Sequence, residues 1–217
     1  MFAGALPEKT HALLKKILPS IGDPGFYLAG GSGLALQIGH RVSEDLDFFT
    51  SQPFVSSSLA TSLAAKADKL EEILTEAQTF IADLEGVKCS FFYYEIPLVF
   101  TMVFYEGLKI AHWRDILAEK FKTLAQRGSK KDFYDIFCVL QAKKISLEEA
   151  VSIFRKRFQS SGVNYYHVLR SLAYFEDADL DPDPKTLKGF EVSWQEVKSF
   201  FVNRQPEFER WFLSSPG

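Results

Sequence analysis

The stretch YLAGGSGLALQIGHRVSEDLDFF, Tyr27 to Phe49, constrains the fold more than any other part of the chain. A brief aromatic and apolar strand (FYLAG, 26–30) turns through three glycines. It opens into a helical pattern, SGLALQIGH, that Gly39 closes. A second strand, DLDFFT, follows and is stopped by Pro53. Strand side chains alternate, so Leu46 and Phe48 point into a core. Asp45 and Asp47 then emerge together on the other face, roughly 7 Å apart at the backbone. Asp is a poor strand former, and like charges so close raise each other's pKa unless something positive lies between them. A divalent cation resolves the repulsion, and oxygen-only ligands favour Mg²⁺ or Mn²⁺. Taken alone, the pair also reads as two exposed aspartates on a solvated strand.

The glycines shift the balance. Where a strand turns into a helix, backbone N–H groups stand free to bind phosphate, and glycines let a phosphate approach closely. Gly30 and Gly31 supply that turn, and Ser32 can cap the helix, donate to a phosphate, or do both. The plainer reading is a tight strand-to-helix turn. Two other glycine fingerprints fail. A Rossmann turn wants G-x-G-x-x-G, but from Gly31 the chain reads GSGLAL, with Leu36 where the third glycine belongs, and its acids arrive early and paired. A P-loop needs G-K-[ST] after its glycines, and none follows.

Residues 8–19 are predicted helical and ended by Pro19, and Ser56 to Lys69 is predicted helical. Residues 71–111 are rich in β-branched and aromatic residues, with Glu85-Gly86 and Glu106-Gly107 as hairpin turns. From Trp113 onward helical patterns cover 114–127, 130–142, 147–158, 163–175 and 193–213, with the acidic run EDADLDPDP (176–184) as a loop. The chain is therefore expected to divide into an α/β core, 1–112, and a helical part, 113–217.

The net charge is −3, so a polyanionic partner needs a local basic face. Arg114, Lys120, Lys122, Arg127, Lys130 and Lys131 form such a patch, on a helix that Asp115 can cap. Asp132 and Asp135 lie one helical turn apart, on one face. Alone, they read as part of a solvated, ion-paired helix. Cys89 and Cys138 sit in apolar runs and read as buried thiols, with a disulfide left open. His11, His40, His112 and His167 show no metal-ligand spacing, and His40 reads as a helix C-terminal cap. No segment approaches the roughly 18–20 apolar residues that span a bilayer, and the N-terminus lacks a signal-peptide pattern. No membrane contact is expected, and the cytoplasm is the default.

Ala29-Gly30-Gly31-Ser32 followed by Asp45-Leu46-Asp47-Phe48 resembles the signature of the DNA polymerase β-type nucleotidyltransferase superfamily. More narrowly, GGSGLALQIGHRVSEDLDFF is similar to the AbiEii/AbiGii toxin family pattern GGTALALxLGHRxSxDLDFF. The downstream segment RDILAEKFKTLAQRGSKKDFYDIF is similar to that family's D-I-x-x-x-K-L-x-A-h-x-x-R and [KR]-D-x-x-D-h segments. The resemblance covers about residues 26–140. It places Lys120 on the family lysine, Arg127 on the arginine, and Asp132 and Asp135 on the acidic pair.

The resemblance implies an α+β fold: a nucleotidyltransferase-type mixed sheet with flanking helices, then a helical C-terminal part, with the site in the cleft between the halves. It implies a nucleotidyltransferase that moves NMP from an NTP to an acceptor hydroxyl and releases pyrophosphate. Gly30, Gly31, Ser32, Lys120 and Arg127 would hold the nucleotide, and Asp45 and Asp47 the metal. Asp135, favoured over Asp132, would complete the site. The third carboxylate of polymerase β-type enzymes should lie on GVKCSFFYY (86–94), which offers Ser90 there. Asp83, Glu85 and Glu95 only flank it, and the general base stays unassigned, with Asp132 or Asp135 as substitutes. RNA, tRNA in particular, is the implied acceptor, and a cognate antitoxin protein the implied partner in a toxin–antitoxin or phage-defence pair. The alternatives are transfer to a small molecule and a non-catalytic nucleotide- or partner-binding module.

Overall fold

The computed structural model describes residues 1–22 and 25–214. The chain falls into two units, Met1–His112 and Trp113–Gly217.

In the first unit the elements run α1 (Glu8–Gly22), β1 (Tyr27–Leu28), α2 (Gly30–Ile38), β2 (Leu46–Thr50) and α3 (Ser56–Ala64). They continue as β3 (Leu70–Glu76), β4 (Thr79–Leu84), β5 (Val87–Tyr93), β6 (Val103–Tyr105) and β7 (Leu108–Ile110). The strands form one seven-stranded sheet in the order β3-β4-β5-β2-β1-β7-β6. It is mixed: β2 runs parallel to β5 and β1 to β7, while the other neighbours are antiparallel. One sheet face is a core, with Leu46, Phe48, Phe80, Ala82, Cys89 and Phe91 all fully buried. α1 adds Leu13, Leu14, Ile17 and Ile21 at helical spacing, and α3 adds Leu59 and Leu63. Phe91 lies at its centre, stacked on Phe48 at 5.0 Å between centroids and edge-on to Phe26 at 5.4 Å. A fully buried phenylalanine contributes about 1.5–3 kcal/mol. The opposite face carries Asp47, Ser90 and Ile81 abreast across β2, β5 and β4.

Both expected hairpin turns are present. Glu85 and Gly86 have φ of 55° and 79°, and Glu106 and Gly107 have 48° and 85°, the pair of positive values that joins antiparallel strands tightly. A third hairpin, between β3 and β4, was not expected. It turns at Ala77-Gln78, with Gln78 at φ 59° and no glycine to announce it.

Several boundaries differ from expectation. α1 runs through Pro19 to Gly22, because Ile17 and Ile21 are buried on either side of the proline and hold the helix across the lost N–H bond. β1 is two residues long, and α2 begins at Gly30, so the glycines form the helix's first turn rather than a loop before it. α3 stops at Ala64 rather than Lys69.

The second unit contains α4 (Trp113–Arg127), α5 (Lys130–Lys143), α6 (Leu147–Phe158), α7 (Tyr165–Ser171), α8 (Glu176–Leu180), α9 (Trp194–Asn203) and α10 (Gln205–Leu213). α4 packs on α5, α6 and α7, and α6 packs on α10. Phe121 meets Phe154, Phe208 and Phe212, while Phe133 meets Phe175, Trp194 and Phe201. Half of the expected acidic loop is helix α8, whose Glu176, Asp177 and Asp179 suit the positive end of a helix dipole. The expected helix 193–213 is two helices, since Pro206 has no N–H to return into α9. Asp115 does not cap α4. It is buried in the first turn and accepts from Arg157 at 2.7 Å. Among the described residues no helix is long and apolar enough to cross a membrane. Cys89 and Cys138 are both buried free thiols, and burial pushes the Cys89 thiol well up.

Candidate active site

The glycine turn is tied to β2 at several points. The Ala29 N–H donates to the Asp47 carbonyl at 2.9 Å, which sets the turn against the strand. Gly30 sits at φ +58°, where side chains are rarely accommodated. A Cβ on Gly30 would meet the Asp47 Oδ2 at 2.6 Å, so the carboxylate packs directly on the glycine backbone. Gly30 and Gly31 are partly exposed, and their N–H groups lie in the first turn of α2, where no helical carbonyl is available. Asp45 is exposed, one residue before β2 begins, and Asp47 is half-buried within it.

Ser32 takes a different part from the one expected. It is buried, makes no side-chain cap, and donates its hydroxyl to the main-chain carbonyl of Asp45. It therefore ties the helix to the first aspartate. α2 ends at Gly39, in the left-handed region at φ 68°, so the terminating residue is the glycine and His40 lies buried beyond it.

Arg41 was missed at the sequence level. It is 4% exposed, and a Cβ on Gly31 would collide with its guanidinium and come within 3.1 Å of the Ser43 hydroxyl. The loop between α2 and β2 thus folds back on the glycine turn, anchored by the Ser43 N–H donating to Ala5 at 2.9 Å. The one signal was its place in the GHR of the family-like stretch.

Ser90 stands in register with Asp47 on the adjacent strand β5 and is 4% exposed. The flanking acids are committed to structure: Asp83 accepts the Gly86 N–H at 2.7 Å, and Glu85 holds Lys16 and the Asp68 N–H. Glu95 is exposed beyond the end of β5. Among the described residues no three His, Cys, Asp or Glu side chains are grouped to hold a metal ion.

In the second unit, Lys120, Asp132 and Asp135 form a buried ion cluster. The Lys120 ammonium, 5% exposed, lies 2.6 Å from Asp132 Oδ1 and 2.5 Å from Asp135 Oδ2, and both aspartates are fully buried. Asp132 also accepts from the Ser129 hydroxyl at 2.9 Å and from Arg127 Nε at 3.1 Å. Burial pushes the Asp132 carboxyl up, but Lys120 and Arg127 outweigh it and hold the group below the usual carboxylate range. The solvated-helix reading of this pair is therefore wrong, because the shared face of Asp132 and Asp135 turns inward to meet Lys120. The basic-patch reading is also corrected. Lys120 and Lys130 are buried, with Lys130 3.0 Å from Asp183, and Arg114 lies over the Trp113 ring. Arg127 keeps most of its side chain in solvent while bound to Asp132.

A mixed seven-stranded sheet with flanking helices, followed by a helical part, makes this an α+β protein of the nucleotidyltransferase fold. The family model described as "Nucleotidyl transferase AbiEii toxin, Type IV TA system" matches residues 12–110 and 103–213, and the chain belongs to that family. An uncharacterized protein of Aquifex aeolicus (strain VF5) is 35% identical over 205 residues, 93% of this chain and 96% of the relative. Two solved structures share the fold. A protein of H. pylori assigned as a nucleotidyltransferase has a TM-score of 0.58 at 16% identity, covering 96% of this chain and 97% of that one. MenT4, a nucleotidyltransferase toxin of Mycobacterium tuberculosis H37Rv, has a TM-score of 0.52 at 15% identity, covering 94% and 85%.

Proposed function

We propose that this nucleotidyltransferase carries out metal-dependent transfer of NMP from an NTP to a hydroxyl of RNA, tRNA being the first acceptor to try. The observation that carries the reading is the contact of the Asp47 carboxylate with the Gly30 backbone. It sets an acid beside free N–H groups, the pairing needed by a triphosphate that arrives with its own cation. The donor set fits Mg²⁺: two carboxylates, Asp45 and Asp47, both oxygen ligands, with substrate phosphate completing the sphere. When bound, Mg²⁺ would neutralise charge on the triphosphate and its leaving group.

The chain's own residues do the rest. The Gly30 and Gly31 N–H groups hold a phosphate, and Ser32 fixes the Asp45 main chain so that its carboxylate keeps its place. The acceptor hydroxyl attacks the α-phosphorus in line; the new P–O bond forms as the bond to pyrophosphate breaks. Ser90 offers a hydroxyl beside Asp47 and no base. Lys120, Arg127, Asp132 and Asp135 stay in the proposal on the family pattern, Lys120 as a triphosphate contact. A phosphate would have to join or displace the two carboxylates that Lys120 already holds. A cognate antitoxin is proposed as the protein partner.

Purified protein incubated with Mg²⁺, total bacterial RNA and each α-labelled NTP in turn tests the reading. Label should enter a discrete RNA band with the wild type and not with Asp45→Ala/Asp47→Ala. Nucleotide binding without label in any RNA would sink the RNA reading.

A further inference from the structure

The second unit carries an open groove of about 630 Å³ that, apart from Arg127, the proposed chemistry does not use. It lies among the end of α4, helix α7 and the start of α10, and its lining combines three chemistries.

The first is positive charge. Arg170 is exposed and, among the described residues, has no ion-pair partner, and Arg127 lines the same groove with 63% of its side chain in solvent. The second is an accessible aromatic face. Tyr174 is 47% exposed, and its hydroxyl donates to Glu176 at 2.9 Å, which orients the ring. The third is a buried acceptor. The side-chain oxygen of Gln205, on the groove wall, has no hydrogen-bond partner within the fold and is closed to solvent, so a ligand N–H reaches it only once the side chain turns outward. His167 braces the wall by donating to the Ala125 carbonyl at 2.9 Å. Asp177 also lines the groove, and its carboxylate limits the site to about one phosphate rather than a run of them.

A volume of this size takes a ligand of nucleotide dimensions. An unpaired nucleotide in a strand carries all three complements: a phosphodiester for the guanidinium groups, a π-face for the tyrosine, and amino or imino N–H groups for the glutamine. A duplex hides its base faces, and an acidic peptide offers no plane to stack. We propose that this groove binds a single-stranded segment of the RNA acceptor, with Arg170 and Arg127 on one phosphodiester and a base stacked on Tyr174. The proposal rests on the RNA-acceptor reading given above.

Fluorescence anisotropy of a labelled short single-stranded RNA on the full chain tests it. Arg127 also holds Asp132, so the variants are Arg170→Gln and Tyr174→Leu, each checked by circular dichroism. Each should weaken RNA binding by roughly fivefold to a hundredfold, the range that loss of a base–aromatic stack gives. Arg210→Gln, at an exposed arginine away from the groove, should change nothing. Wild-type affinity in both groove variants would overturn the proposal. So would no RNA binding by the wild type, or an equal loss in Arg210→Gln, which would mean diffuse charge. Asp45→Ala/Asp47→Ala should bind RNA normally, which separates the two claims. Groove-dependent binding without label transfer to RNA would support the groove and reject RNA as acceptor. RNA labelling that is insensitive to both groove variants would do the reverse.

Discussion

Gly30→Ala is the most informative single change, because it tests backbone strain and carboxylate placement together. An alanine there must hold φ near +58° and displace the Asp47 carboxylate. We expect a stability loss of about 1–3 kcal/mol in urea unfolding. Transfer activity should fall at least tenfold in the fraction that remains folded. Lys120 makes a different kind of prediction. Replacing Lys120 with methionine takes the shared ammonium from two buried carboxylates and leaves Asp132 only Arg127, which costs about 3–5 kcal/mol. Asp132 gives the cluster a pH signature. Its folded pKa lies below the unfolded value of about 3.9, so the unfolded chain binds a proton there first as pH falls. The stability it contributes is complete above that unfolded value and is lost as pH falls through the lower folded one. Urea midpoints measured between neutral pH and acid should drop less steeply in Asp132→Asn than in the wild type. Asp45, Asp47 and the glycines were legible in sequence because strand alternation and glycine spacing are local. The placement of Arg41 over Gly31 was not, since it depends on the path of the intervening loop. Nor was the inward turn of Asp132 and Asp135, because helical spacing shows which residues share a face but not where that face points.

At the scale of elements, turns that carry glycine were readable and the one without it was not. Glu85-Gly86 and Glu106-Gly107 announce themselves, whereas Gln78 adopts a positive φ only because β3 and β4 impose it. Gln78→Gly should relieve that strain and remove a buried side-chain oxygen that lacks a partner. A gain of about 0.5–1 kcal/mol in urea unfolding is expected, with activity unchanged. An unchanged or lower midpoint would mean the side chain contributes something that offsets the strain. The helices of the second unit were largely readable from apolar periodicity. The exceptions there, α9 and α10 parting at Pro206 and α8 formed from an acidic run, were settled by tertiary packing and by chain chemistry, as was α1 continuing past Pro19 in the first unit.

At the scale of the molecule, the change to helix after β7 followed from pattern, and the mixed sheet and the family followed from the resemblance that two short motifs carry. The six cations of residues 114–131 could not be judged from composition, because two of them are buried and spent within the fold. A net charge of −3 therefore hides where a polyanion would bind, and the groove lined by Arg170 and Tyr174 came from structure alone. The central claim is that Asp47, seated on Gly30, is the acid on which metal-dependent nucleotidyl transfer depends. The most direct measurement is the rate of labelled-nucleotide transfer by Asp47→Asn against the wild type, over a Mg²⁺ titration and with EDTA. The substitution preserves shape and removes only charge, so a folded Asp47→Asn protein should lose transfer by a hundredfold or more at every Mg²⁺ concentration, and EDTA should abolish wild-type transfer. Near-wild-type transfer by Asp47→Asn, or wild-type transfer that survives EDTA, would contradict the claim.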